Sequence, residues 1–67
     1  MNVLIELPNL LSKLRIISYS DYRVETQDEK SFIVLHTRQG SIRYEIIDTV
    51  SHHKQAEITH FLNQYKS

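Results

Sequence analysis

Apolar residues recur along the first third of the chain with the spacing of an amphipathic helix. The residues on this stripe are Leu7, Leu10, Leu11, Leu14 and Ile17. Pro8 fits the first turn of a helix, because the backbone N–H that proline lacks has no helical partner there. The pattern therefore predicts helix 1 over about residues 8–17. Residues 2–6 remain unassigned, since Val3 extends the same stripe and an earlier helical start with a kink at Pro8 is the alternative.

The middle third of the chain alternates apolar and polar positions, which is typical of half-buried strands. Three strands are predicted near residues 19–26, 31–38 and 41–47. A turn around residues 27–30 and a two-residue loop at Gln39–Gly40 set their register. The predicted cross-strand pairs are Tyr22 with Leu35, Val24 with Ile33, Ile33 with Ile46, Leu35 with Tyr44, and Thr37 with Ile42.

Both turns place the same apolar side chains on one face of the sheet, and a one-residue slip would move them to the other face. This inner face consists of Tyr22, Val24, Ile33, Leu35, Ile42, Tyr44 and Ile46. A second helix is predicted over about residues 52–65, with Ser51 as N-cap. Its apolar stripe is Ile58, Phe61, Leu62 and Tyr65. The predicted fold is α+β: a single domain over residues 1–67 of order α-β-β-β-α, in which both helices pack on one face of a three-stranded antiparallel meander.

Length and composition narrow the classes of function. The chain has 67 residues and no cysteine, so it is near the lower size limit for a domain that folds without disulfides. Eight basic residues balance eight acidic ones, so the chain lacks the overall positive charge of a nucleic-acid binder. Its low net charge permits self-association. There is neither a basic leader segment nor an apolar run of about 20 residues. We therefore expect a cytoplasmic protein without a membrane partner.

The outer face of the predicted sheet carries three cross-strand rows. These are Asp21–His36–Arg43, Arg23–Val34–Glu45 and Glu25–Phe32–Ile47. Phe32, Val34 and Ile47 would form an apolar island rimmed by charges, a pattern that indicates an interface. The leading hypothesis is a protein-interaction module that binds a protein partner or a second copy, as a homodimer, through Phe32, Val34, Ile47, His36 and Arg43. The alternative is that a terminus covers the island or that it stays half exposed.

Asp21 beside His36 also permits an enzymatic interpretation, since a carboxylate can orient a histidine as general base. The chain has no cysteine nucleophile and no glycine-rich phosphate loop, however, and a cross-strand charge ladder explains the row more simply. We predict that the protein is not an enzyme and needs no cofactor.

The start of helix 2 carries the run Ser51-His52-His53-Lys54-Gln55-Ala56. In place and composition it resembles the Ser-Lys-Lys-x-Ala-Lys run of the double-stranded-RNA-binding domain, whose helix–meander–helix order the chain shares. The chain departs from that family in its acidic 27–30 turn, where the family has Gly-Pro-x-His, and in its alanine, which comes one position later. The resemblance implies an alternative function, duplex RNA binding. The phosphate contacts it implies would come from Lys54, from His52 or His53 when protonated, and from Lys13 and Arg15 of helix 1.

One further stripe of helix 2 has the residue types of a metal site. His53, Glu57 and His60 are spaced i, i+4 and i+7, which places two imidazoles and a carboxylate on one side of the helix. A fourth ligand is missing from the pattern. We interpret the stripe as a solvated helix face and predict no metal.

Overall fold

The computed structural model of the chain describes residues 2–67, with only the backbone of Asn2. Its elements are β1 (Asn2–Ile5), α1 (Leu7–Leu14), β2 (Asp21–Gln27), β3 (Lys30–Thr37), β4 (Gly40–Ile46) and α2 (His52–Tyr65). The sheet has four strands in the order β1-β4-β3-β2, and β1 runs parallel to β4. The α+β class is confirmed. The prediction of a three-stranded sheet is wrong, because a further strand extends the meander on the side of β4.

The unassigned residues 2–6 contain this added strand, so the alternative of an earlier helical start is wrong. Glu6 has extended backbone angles and is the N-cap of α1, and Pro8 lies in the first turn as expected. The helix ends at Leu14, three residues earlier than predicted. β1 pairs with residues about forty positions away, so no local pattern reveals its partner.

The β2–β3 register agrees with the prediction, with Tyr22 opposite Leu35 and Val24 opposite Ile33. The β3–β4 register is shifted by two residues, so that Leu35 lies opposite Ile42 rather than Tyr44. The cause is the turn: Gly40, at φ 123°, pairs with Thr37, and the loop residues are therefore 38 and 39.

A shift of two residues keeps every side chain on its face. Of the predicted inner-face residues, Ile33, Leu35, Tyr44 and Ile46 therefore belong to the buried core, and Tyr22, Val24 and Ile42 are partly buried and pack against it. The apolar stripes of both helices divide in the same way. The fully buried members include Leu10 and Leu14 of α1, Ile33 and Ile46 of the sheet, and Leu62 of α2.

Polar contacts join α2 to β3 and to the segment that precedes β2. The buried Tyr19 hydroxyl donates to the Leu62 carbonyl at 2.7 Å, and the Gln55 amide donates to the Ser31 hydroxyl at 3.3 Å. Burial, with a smaller contribution from Tyr22, raises the pKa of the Tyr19 phenol above its ordinary value.

α2 has the predicted bounds and cap, since the Ser51 Oγ accepts a hydrogen bond from the Lys54 backbone N–H at 3.3 Å. Within residues 2–67, neither helix has the length and apolar character needed to cross a bilayer.

Candidate functional site

The outer face of the sheet carries the rows Asp21–His36–Ser41, Arg23–Val34–Arg43 and Glu25–Phe32–Glu45. The β2–β3 part of each predicted row is confirmed, and the β4 part is wrong. Arg43 lies opposite Val34 instead of His36, and Glu45 lies opposite Phe32. Ile47 follows the last residue of β4, so it is not part of the Phe32 row.

Phe32 and Val34 are not an exposed island, because they are only 8% and 6% exposed. The guanidinium of Arg43 lies 4.3 Å from the centre of the Phe32 ring. Long charged side chains cover apolar surface with their hydrocarbon stems while the charged ends reach water. The centre of the outer face is thus covered by side chains of its own chain, and neither a terminus nor a partner is needed there.

Ion pairs hold this covering layer together. Glu25 contacts Arg43 at 3.6 Å and Arg23 at 3.7 Å. Lys30 of β3 contacts Glu45 of β4 at 3.5 Å. The Arg43 Nε is buried and has no hydrogen-bond partner among residues 2–67. The Phe32 ring face and the Glu25 carboxylate are therefore the groups that stabilise the Arg43 charge.

Exposed apolar surface lies instead on the β1 side of this face. Leu4 is 64% exposed and Ile47 is 55% exposed. Both line a groove of about 480 Å³ that runs along β1, with Asn9, Ser12 and Lys13 of α1 on its other wall. We call Leu4, Ile47 and this groove the β1-side surface. Ile47 is among the interface residues predicted from the sequence. Leu4 is not, because its outward position depends on a strand that the local pattern does not indicate.

His36 contacts a serine rather than a carboxylate. Its Nδ1 lies 2.9 Å from the Ser41 hydroxyl, while the Asp21 carboxylate accepts from the Tyr22 backbone N–H at 2.8 Å and contacts Lys66 at 3.7 Å. The row Asp21–His36–Ser41 has the residue types of a catalytic triad, but a triad needs the carboxylate on the second imidazole nitrogen. No described contact orients His36 as a general base.

The first turn of α2 presents His52, His53 and Lys54 to solvent. Glu57 engages two of them, His53 Nε2 at 3.4 Å and Lys54 Nζ at 3.4 Å. This intrahelical arrangement neutralises part of the positive charge that a phosphate contact would use.

The helix 1 cations lie elsewhere on the surface. Lys13 lines the groove beside β1, and Arg15 is the C-cap of α1. The next residue, Ile16, lines a second groove with residues 37–39 at the start of β4, whereas α2 follows the end of β4. Seven strand residues span about 20 Å, so Arg15 and Lys54 belong to opposite ends of the molecule.

The stripe of His53, Glu57 and His60 does not make a metal centre on its own. Across the described part of the chain, no group of three histidine, aspartate or glutamate side chains has the arrangement to hold an ion. His53 and Glu57 contact each other instead.

Comparison of the chain with protein-family models, with curated proteins and with solved structures found no match.

Proposed function

We propose that the protein is a protein–protein interaction module that binds through its β1-side surface. The observation that carries this proposal is the pair of large aliphatic side chains, Leu4 and Ile47, more than half exposed beside one groove. Apolar side chains that cluster at a polar-rimmed groove are typical of interaction sites, whereas single exposed ones are ordinary.

Because Phe32 and Val34 are covered, the β1 side is a better binding location than the centre of the outer face. A partner at the centre would have to displace the Arg43–Glu25 ion pair before it reached apolar surface. At the β1 side the apolar groups are already accessible, so no such rearrangement opposes binding. Of the five residues expected to bind the partner, Ile47 keeps that role in the proposal, while Phe32, Val34 and Arg43 form the adjoining structural layer and His36 contacts Ser41.

Duplex RNA binding is the second candidate. Its support is the exposed first turn of α2, where three potentially cationic side chains follow the Ser51 cap, together with the α-β-β-β-α part of the element order. The engagement of Lys54 and His53 by Glu57 and the remote position of Arg15 favour the protein-interaction proposal. The cytoplasmic location expected from the sequence remains a prediction.

Site-specific photo-crosslinking tests the proposal. A benzophenone amino acid replaces Ile47 in one variant and Ile16 in the control, because Ile16 is also a large exposed aliphatic residue but lies by the other groove. Irradiation in the protein's native cells should give a discrete adduct with one protein, identified by mass spectrometry, from position 47 and not from position 16. That adduct should disappear when Leu4→Asp is added. Equal labelling from both positions, or no adduct from position 47, would contradict the proposal.

A further inference from the structure

Within residues 2–67, no strand pairs with the outer edge of β1. β1 is a terminal strand of the sheet, and the Ile5 carbonyl accepts the Ile47 N–H at 3.0 Å, so the main chain of Ile5 faces β4. Main-chain polar groups of successive strand residues point to alternate sides. The N–H and C=O of Leu4 therefore point away from the sheet, and such an unpaired edge is a template for strand addition.

Two opposite charges lie along this edge. Glu6 follows β1 directly, and Lys13 lies in the last turn of α1. Both are exposed, and neither takes part in an ion pair within the described residues. α1 runs back along β1, since it begins after Glu6 and ends near the start of β4. Seven helical positions correspond to about 10 Å, so the negative and positive groups occupy opposite ends of the groove.

A two-fold rotation axis placed at Leu4 brings the opposite charges of two copies together. In an antiparallel pairing of β1 with β1 of a second copy, the two Leu4 residues form a pair that exchanges both main-chain hydrogen bonds. Each Ile47 then flanks that pair. Because the axis reverses the direction of the groove, Glu6 of one copy meets Lys13 of the other, twice.

We infer that the occupant of the β1-side surface is a second copy of this chain, joined antiparallel through β1 into one eight-stranded sheet. This inference rests on the proposed function and names its partner. Isologous two-fold pairing requires a self-complementary patch, which the charges supply. The formal net charge of zero adds little repulsion between copies.

The other terminal strand fits this role less well. The outer side chains of β2 are charged, namely Asp21, Arg23 and Glu25. Charged side chains along an edge strand disfavour pairing with another chain. Lys66 also contacts Asp21 at 3.7 Å, so the end of the chain lies beside the start of β2. β1 has a shorter edge but an apolar side chain, Leu4, at its centre.

Charge exchange tests the inference. Sedimentation equilibrium is measured on the wild type, on Glu6→Lys, on Lys13→Glu, and on an equimolar mixture of the two variants. Each variant alone places like charges opposite each other at both contacts, and we expect its self-association to weaken about tenfold or more. In the mixture both contacts again join a lysine to a glutamate. We therefore expect wild-type-like heterodimers, with circular dichroism confirming that each variant is folded.

Recovery of association in the mixture supports the inference, because two merely destabilised proteins would not rescue each other. Self-association that Leu4→Asp abolishes but that both charge variants retain would overturn the two-fold pairing while leaving the proposed function in place. A wild type that is monomeric up to about 1 mM, the range of very weak complexes, would overturn the second copy as occupant. In that case an adduct from position 47 with a different protein would still support the proposed function.

Discussion

The guanidinium of Arg43 packs on the face of the Phe32 ring, 4.3 Å from its centre, on the side of the sheet opposite the helices. The same guanidinium contacts Glu25 on β2 at 3.6 Å. The Arg43 side chain thus covers an apolar residue and links β4 to the edge strand β2. Phe32 is therefore a structural residue, and its replacement would report on folding rather than on partner binding.

Removing the Arg43 side chain should destabilise the fold. Arg43→Ala uncovers Phe32 and deletes the ring contact, and we expect the free energy of unfolding in urea to fall by about 1–2 kcal/mol. Arg43→Met, whose unbranched apolar side chain still covers part of this surface, should lose less. Arg23→Ala is the matched control, since its ion pair to the same Glu25 is largely exposed and should change stability by about 0.5 kcal/mol or less. Equal losses for Arg43→Ala and Arg23→Ala would contradict the covering role.

Tyr19 should make the fold sensitive to alkali. Burial raises the pKa of Tyr19, and also that of Tyr44, above the ordinary value. A pKa that is higher in the folded than in the unfolded state gives stability that is complete below the unfolded pKa, near 10, and is lost as the pH rises through the folded pKa. The free energy of unfolding should therefore fall above about pH 10.

Tyr19→Phe separates this effect from the hydrogen bond to Leu62. At pH 7 the variant should lose about 1 kcal/mol, and above about pH 10 its stability should fall less steeply than that of the wild type. Tyr44 retains its share of the fall. Tyr65→Phe is the control, because Tyr65 is only half-buried and stacks its ring on Phe61. Parallel curves for wild type and Tyr19→Phe at high pH would rule out Tyr19 as a source.

A substitution in the β2–β3 turn should stabilise the fold. Asp28 and Glu29 both have positive φ, 53° and 66°, where side chains other than glycine are strained. Glu29→Gly relieves that strain and should stabilise the fold by about 0.5–1 kcal/mol, seen as a higher melting temperature. Glu29→Ala removes the same charge without relieving the backbone, so it should not stabilise. A gain of equal size in both variants would assign the effect to charge instead.

A binding assay with duplex RNA distinguishes the two candidate functions. The protein-interaction account predicts no binding to a duplex of about 20 base pairs at low salt, and no difference between wild type and Lys54→Ala. The RNA-binding alternative predicts an affinity that falls with salt and is lost in Lys54→Ala. Fluorescence anisotropy at two salt concentrations distinguishes the two.

The sequence predicted the elements whose signals are local. α2, its Ser51 cap and the inner face of the sheet follow from periodicity, and the β2–β3 register follows from its turn. The β3–β4 register did not follow, because Gly40 can be the second residue of a two-residue loop, as predicted, or the first residue after the loop, as in the structure. Periodicity is unchanged by a shift of two residues, so the core was correct while the outer-face neighbours of Arg43 were wrong.

Less of the candidate site than of the fold could be predicted from the sequence. A four-residue strand pairs in parallel with a distant segment, so Leu4 carried no local sign of its position. The covering of Phe32 also depends on the guanidinium of Arg43 lying over its ring, which the alternation of apolar and polar positions does not encode.

Backbone amide NMR tests most directly whether this protein binds other protein chains through the β1-side surface. Spectra are recorded while the protein concentration rises and, separately, while any protein captured by crosslinking is added. The account predicts that the amide resonances of Leu4, Glu6 and Ile47 change in at least one titration, with little change at residues 52–54. Changes confined to residues 52–54 or to the surroundings of Arg43, or unchanged Leu4 and Ile47 resonances in both titrations, would contradict it.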